Sequence, residues 1–155
     1  MPHIPEDNDT NSWHRYFAME CNNRAWQLAV QSRTGEEDLE MLNAAHAAAL
    51  HWQVIGTEMN TMRATILLAE VQALLGFGVS AFRYAEDMRH YFLDGDTPDW
   101  EIAFTHAIHA HAAAVAGEVD HHRASYHAAR QAIDAIVDDE DRAIVLQTFD
   151  QVPAP

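Results

Sequence analysis

Apolar residues recur every three to four positions along most of this 155-residue chain, and short clusters rich in Gly, Asp or Pro interrupt that pattern at intervals. Such spacing is typical of amphipathic α-helices, and no segment shows the sustained alternation of β-branched residues that favours a strand. The chain is therefore predicted to be all-α, with about seven helices. The predicted helices cover approximately residues 12–31, 35–55, 58–75, 79–93, 98–117, 119–137 and 138–150.

Residues that satisfy the unpaired N–H groups of a first helical turn mark several helix starts. Thr34 and Glu37 have the spacing of a capping box, and Thr57 is placed to cap the helix that follows Gly56. In the segment that begins at Thr97, we expect Thr97 to be the N-cap and Pro98 to occupy the first helical position. These signals fix where the predicted helices begin.

Short connections force helices that are neighbours in sequence to pack side by side and antiparallel. The helices therefore pair into three hairpins, over residues 12–55, 57–93 and 98–137, and the seventh helix closes the array with a polar outer face. Gly76 and Gly117 mark corresponding turns of the second and third hairpins, 41 residues apart. One hairpin cannot bury its own apolar faces, so the sequence predicts a stack of hairpins.

The repeated unit of two helices joined by a glycine turn resembles the tetratricopeptide-like superfamily of helical repeats, in a divergent form. The resemblance rests on small, glycine and aromatic positions: Ala69, Gly76, Ala81, Tyr84 or Ala85, and Met88 in one repeat; Ala110, Gly117 and Ala124 in the next; and residues 22–29 as the first helix of an earlier one. It implies a right-handed array with a concave groove that binds a protein or a peptide and has no chemistry of its own. The spacing of 41 leaves open whether the array is an open solenoid or a compact bundle.

On this interpretation the binding face comes from the first helix of each hairpin. The candidate partner-binding residues are Asn22, Asn23, Trp26, Arg63, His106 and His109. The chain has four tryptophans, which are interpreted as packing residues between repeats or as the lining of an aromatic groove. His106 and His109 are expected to point away from the apolar face of their helix.

Composition narrows the function further. The 48% apolar content suits one core and hence one domain, over residues 11–152, with a disordered tail at 1–10 and a short tail at 153–155. The net charge of −15 disfavours nucleic acid and anionic membranes as partners. The absence of a secretory signal or an apolar span favours the cytoplasm. A protein or peptide partner is expected, and a homodimer is left open.

The alternative hypothesis is a helical bundle with a histidine-based site for a divalent metal ion or a small ligand. His111 and His122 lie six residues before and five residues after Gly117, so they should be level in an antiparallel hairpin, with Tyr126 nearby. The favoured interpretation is that both are hydrogen-bonded core histidines, as is His46 on the face of Leu39 and Leu50. We expect no cofactor and no catalysis, because the serines have no glycine-elbow context and no phosphate-binding loop follows a strand. His121, adjacent to His122, is expected to be solvated.

Overall fold

A computed structural model of the protein describes residues 1–6 and 8–155, and Asp7, within the predicted tail, lies outside the described residues. The described residues form seven helices and no strand, which confirms the predicted all-α class. The helices are α1 (Thr10–Ala29), α2 (Gly35–Ile55), α3 (Glu58–Leu74), α4 (Gly78–Asp94), α5 (Asp99–Ala116), α6 (Val119–Ala135) and α7 (Asp139–Phe149).

The helix starts follow from local side-chain chemistry. Thr34 and Glu37 form the predicted capping box at α2, and Thr57 forms one with Asn60 at α3. The prediction for α5 is wrong by one residue, because its N-cap is Pro98. The Thr97 hydroxyl instead donates to the Phe92 carbonyl at 2.5 Å, so it caps the end of α4.

The helices pack in two layers. Helices α1, α3, α5 and α7 contact one another in chain order and form the first layer. In the second layer, α2 packs against α1 and α3, α4 against α3 and α5, and α6 against α5 and α7. Within the described residues the backbones of α2, α4 and α6 do not approach one another. Helices α4 and α6 meet through side chains, such as the rings of Phe82 and His121, whose centroids lie 5.3 Å apart. The predicted arrangement, three stacked hairpins followed by a seventh helix, is the one observed.

The second and third hairpins turn in the same way. Gly76 and Gly117 have φ values of +80° and +77°, a left-handed conformation that glycine adopts without strain. In both turns the N–H of the residue after the glycine donates to the carbonyl five residues earlier, at 2.8 Å for Phe77 and 2.9 Å for Glu118. The 41-residue spacing therefore separates equivalent positions of the two hairpins in the structure as well as in the sequence.

Helix α5 lies at the centre of the fold. It contacts α3 and α7 in its own layer and α4 and α6 in the other layer. Its buried residues occur all round the helix, including Glu101, Thr105, His109 and His111. The prediction of a single inward face on α5 is therefore wrong, since its alanines allow neighbouring helices to approach from every side.

Candidate functional site

The exposed surface of the first layer contains a groove of about 520 Å³. All four first-layer helices contribute to it. Its lining comprises Asn22, Asn23, Trp26 and Gln27 of α1 and the following Val30, Arg63 and Ile66 of α3, Trp100, Glu101 and Phe104 of α5, and Ile144, Gln147 and Thr148 of α7. The groove thus brings together four of the six residues predicted to bind a partner, Asn22, Asn23, Trp26 and Arg63.

Aromatic rings and an ion pair form the middle of the groove. The rings of Trp26 and Phe104 lie 5.2 Å apart, and the Arg63 guanidinium lies 5.8 Å from the centroid of the Trp100 ring. The Nε and Nη2 atoms of Arg63 donate to the two carboxylate oxygens of Glu101, at 2.7 and 3.0 Å. This hydrogen bonding raises the pKa of Arg63, so the pair stays ionised and leaves the groove centre without net charge.

Several amide side chains at the groove are unpaired. Within the described part of the chain, the side chains of Asn22, Asn23 and Gln147 make no hydrogen bond, and neither does Nη1 of Arg63. A side-chain amide offers both donors and an acceptor, the same pair of functions that a peptide bond presents. The amides of the lining can therefore bind the backbone of an extended peptide, while the aromatic rings contact an apolar side chain of that peptide.

The two remaining partner-binding candidates do not line the groove. His109 is fully buried, and the expectation that it points away from the core is wrong because α4 and α6 cover that side of α5. His106 is half-buried, and its Nδ1 atom has no hydrogen-bond partner among the described residues. Burial, and then the nearby Arg89, lowers the pKa of His106.

The residues of the alternative site face different neighbours. His111 Nδ1 lies 3.0 and 3.2 Å from the carboxylate oxygens of Glu70 on α3, and both side chains are buried. His122 Nε2 donates to the Pro153 carbonyl at 2.7 Å, and its ring lies beside that of Tyr126, with centroids 6.2 Å apart. Among the described residues no contact joins His111 to His122.

The structure also shows where His46 and Cys21 lie. His46 is exposed, and so are Leu39 and Leu50 at 60% each, so the expectation that this face of α2 packs inward is wrong. The α1 and α3 helices contact other faces of α2. Cys21 is half-buried, and burial, followed by the charge of Glu20, raises the pKa of its thiol, which makes it a poor nucleophile.

A different cluster of ligand-type side chains lies where α4, α5 and α6 meet. Glu86, His109 and His121 each place one potential ligand atom within 4.8 Å of the others. His109 Nε2 is hydrogen-bonded to Glu86, and His109 Nδ1 lies 2.7 Å from the Ser125 hydroxyl. Burial lowers the pKa of His109 to about 4 despite its contact with Glu86, so this imidazole is neutral at neutral pH.

The sequence did not predict this cluster. The number of residues from a turn gives the level of a residue along its hairpin, but not which neighbouring helix its side chain faces. Ser125 lies eight residues after Gly117 and His109 eight residues before it, and the two are hydrogen-bonded as that register predicts. The register could not show that α4 supplies the third residue. His121 is exposed as expected, although its ring lies 5.8 Å from that of His109.

Comparison with known proteins gives no match: no family model, no curated protein and no solved structure matches this chain. None of the helices in the described residues has both the length and the apolar character needed to cross a membrane. The fold and the geometry of these side chains are therefore the basis for assigning a function.

Proposed function

We propose that this protein is a non-enzymatic scaffold that binds a peptide segment of another protein in the first-layer groove. The observation that supports this best is the composition of the groove, which is lined by all four first-layer helices and in which aromatic rings of α1 and α5 lie beside unpaired amides of α1 and α7. Aromatic side chains provide apolar contact area at low entropic cost, and amides bind the peptide backbone. The resemblance to tetratricopeptide-like repeats agrees with this function and stays a prediction, as does the right-handed sense of the array.

The preferred partner is a basic segment with one apolar anchor. The chain carries 24 acidic and nine basic residues, so its field attracts cationic peptides and repels anionic ones. The ion pair of Arg63 with Glu101 neutralises the groove centre, which suits an apolar side chain there. Basic residues on either side of that anchor would then meet the acidic surface. A cytoplasmic location suits such a partner and is also a prediction.

Selection from a random peptide library displayed on phage tests the proposal with the full chain as bait. We expect enriched peptides in which Lys or Arg flanks an aromatic or aliphatic residue, with binding that weakens at high salt. Titration of an isotope-labelled sample with an enriched peptide should shift the amide resonances of Asn22, Asn23 and Arg63. Shifts confined to α2, α4 and α6 would contradict the groove.

A matched pair of surface variants makes this test specific. Ile144 lies in the groove and is 62% exposed, whereas Val79 on α4 is 89% exposed and lies outside it. Ile144→Ser should weaken peptide binding about 10-fold, since it removes an apolar contact of about 1.5 kcal/mol. Val79→Ser should leave affinity unchanged. Equal effects of the two variants would count against the groove as the binding site.

A further inference from the structure

Three helices from two different hairpins converge on the cluster of Glu86, His109 and His121. Glu86 lies on α4 of the second hairpin, and His109 and His121 lie on α5 and α6 of the third. None of the three lines the groove. This is the one group of three or more histidine, cysteine or acidic side chains with mutually close ligand atoms in the part of the chain that the structure describes.

We propose that Glu86, His109 and His121 bind a divalent metal ion of the Zn²⁺ class. Two imidazoles and one carboxylate are a ligand set that suits Zn²⁺, and three protein ligands leave a fourth position for water or a ligand. A tetrahedral site with bonds near 2.1 Å separates its ligand atoms by roughly 3.4 Å. The His121 ligand atom, within 4.8 Å of the other two, needs to move inward by up to about 1.4 Å, whereas the hydrogen-bonded atoms of His109 and Glu86 need to move slightly apart. Long Glu and exposed His side chains can make that movement.

The surroundings of the cluster favour one ordered and one accessible ligand. His109 is 0% exposed and held on both sides of its ring by Ser125 and Glu86. His121 is exposed, and the Glu86 side chain is 32% exposed, so an ion can enter from solvent along these two residues. Phe82 lies against both imidazole rings, with centroid distances of 5.5 and 5.3 Å, and restricts their orientation.

The hydrogen bonds of His109 are compatible with metal binding at Nε2. The Glu86 carboxylate can only accept, so Nε2 carries the proton while it contacts Glu86, and Nδ1 then accepts from the Ser125 hydroxyl. When a metal binds Nε2, the proton moves to Nδ1, which donates to Ser125 instead. A hydroxyl can serve either tautomer, so Ser125 is a positioning residue of the kind that orients metal-bound histidines.

Arg89 competes with a metal ion for Glu86. Its Nη1 atom lies 3.9 Å from the Glu86 carboxylate, and a positive charge there disfavours a second cation. The contact is long, and the Arg89 side chain is 33% exposed, so it can turn toward solvent when an ion binds. Arg89→Gln is therefore expected to raise metal affinity.

Titration with Zn²⁺ and Co²⁺ tests the site on the full chain after chelator treatment. We expect one ion per chain and, for Co²⁺, the intense visible absorption of a four- or five-coordinate centre. His121→Gln, an exposed change that should not disturb folding, should lower affinity about 100-fold or more, because even residues that only orient a ligand change affinity 10–100-fold. Ser125→Ala should lower affinity about 10-fold and shift the Co²⁺ spectrum, which a purely structural role would not do.

The chain has eleven histidines, so controls for scattered surface binding are needed. His127, which is also exposed on α6, is the matched control, and His127→Gln should bind metal as the unaltered chain does. The proposal is overturned if the unaltered chain binds no ion at micromolar concentration. It is equally overturned if His121→Gln binds with unchanged affinity and spectrum, with circular dichroism showing both proteins folded.

Discussion

At the scale of single residues, the interior holds several ionisable side chains, each with a specific partner. Glu70 and His111 face each other with exposures of 0% and 5%, Glu101 pairs with Arg63, and His109 bonds to Ser125 and Glu86. A buried polar group that loses its partner destabilises the fold far more than the pair itself stabilises it. These contacts are therefore the most sensitive points of the molecule.

Removal of Glu70 should strongly destabilise the protein. Glu70→Ala leaves the His111 imidazole buried without its acceptor and also opens a cavity, so we expect a loss of about 3 kcal/mol in the free energy of unfolding. Glu70→Gln keeps an oxygen acceptor at the same place and should lose less than about half of that. Urea unfolding followed by circular dichroism measures both values. Equal losses in the two variants would contradict the expectation that an oxygen acceptor at this position satisfies His111.

A second residue-scale prediction concerns pH. His14 Nδ1 and His51 Nδ1 lie 2.7 Å apart between α1 and α2, so the contact requires that one of them be neutral. Burial, and then the charge of His14, lowers the pKa of His51 from its ordinary 6.5. The unfolded chain then binds more protons below pH 6.5, so this contribution to stability is present above that pH and is lost as the pH falls.

Thermal unfolding between about pH 5 and pH 7.5 tests this prediction. His51→Gln should show a smaller fall in Tm toward low pH than the unaltered chain, because Gln does not titrate. Other histidines with lowered pKa contribute to the fall in both proteins and cancel in the comparison. Parallel Tm curves for the two proteins would contradict a role for His51.

The sequence predicted some site residues and not others for a definable reason. Asn22, Trp26 and Arg63 were predicted because the first helices of the hairpins follow one another in a layer, and that layer is set by connection lengths. His109 was misplaced because its burial depends on α4 and α6, which supply the Glu86 and Ser125 side chains that contact its ring. Heptad-like spacing describes one helix at a time and does not show how many neighbours a helix has.

At the scale of elements, the turns determine how closely helices approach. Gly78, the first residue of α4, lies against the end of α5. A Cβ built at that position would meet the Val115 carbonyl oxygen at 2.5 Å and the Ala116 Cα at 2.8 Å. The second and third hairpins therefore touch backbone to backbone at this point, and only a residue without a side chain fits.

Gly78→Ala should push α4 and α5 apart. The clashing atoms are backbone atoms that cannot turn away, so we expect a destabilisation of about 2 kcal/mol, as for other overpacking changes. Gly35→Ala is the matched control, since it also lies at a helix start and has nothing within 4 Å of its Cβ position. It should be neutral or slightly stabilising. Chemical denaturation of both variants measures the contrast, and similar midpoints would disprove the close approach.

Helix positions were predictable from sequence because local chemistry determines them. The capping boxes at Thr34 and Thr57 and the left-handed glycines at 76 and 117 act within one or two turns of the chain. Thr97 was misassigned because its hydroxyl bonds backward to Phe92, a choice between two helix ends that a sequence pattern does not reveal. Residues close in sequence thus determine where helices begin and end. The errors arise where one side chain can cap either of two neighbouring helices.

At the scale of the whole molecule, the two layers differ in how many neighbours each helix has. Helices α3 and α5 each contact four others, whereas α2 contacts only α1 and α3 within the described residues. Three apolar clusters follow one another along the array, each between one second-layer helix and two first-layer helices. We therefore expect α3 and α5 to be the most stably packed helices and the helices at the two ends of the array to be the least stably packed.

Hydrogen exchange should report this gradient. The backbone amides of α3 and α5 are expected to exchange slowest, through global unfolding, and those of α2 and α7 faster, through local opening at the two ends of the array. Exchange followed by mass spectrometry on proteolytic fragments resolves the helices. Uniform protection of all seven helices would instead indicate that the array opens only as a single cooperative unit.

The contact between Glu70 and His111 limits how symmetric the array can be. The two residues are 41 positions apart, the same register that separates the matched glycine turns, so they occupy equivalent places in adjacent hairpins. A tandem array of identical copies would make this position meet itself, and would bury two carboxylates or two imidazoles against each other. An acid–base contact at this position therefore requires that adjacent units differ here, as Glu70 and His111 do. An unchanged duplicate of either hairpin, placed beside the original, would lose this acid–base contact. The hairpin with Glu70 and the hairpin with His111 are therefore not interchangeable.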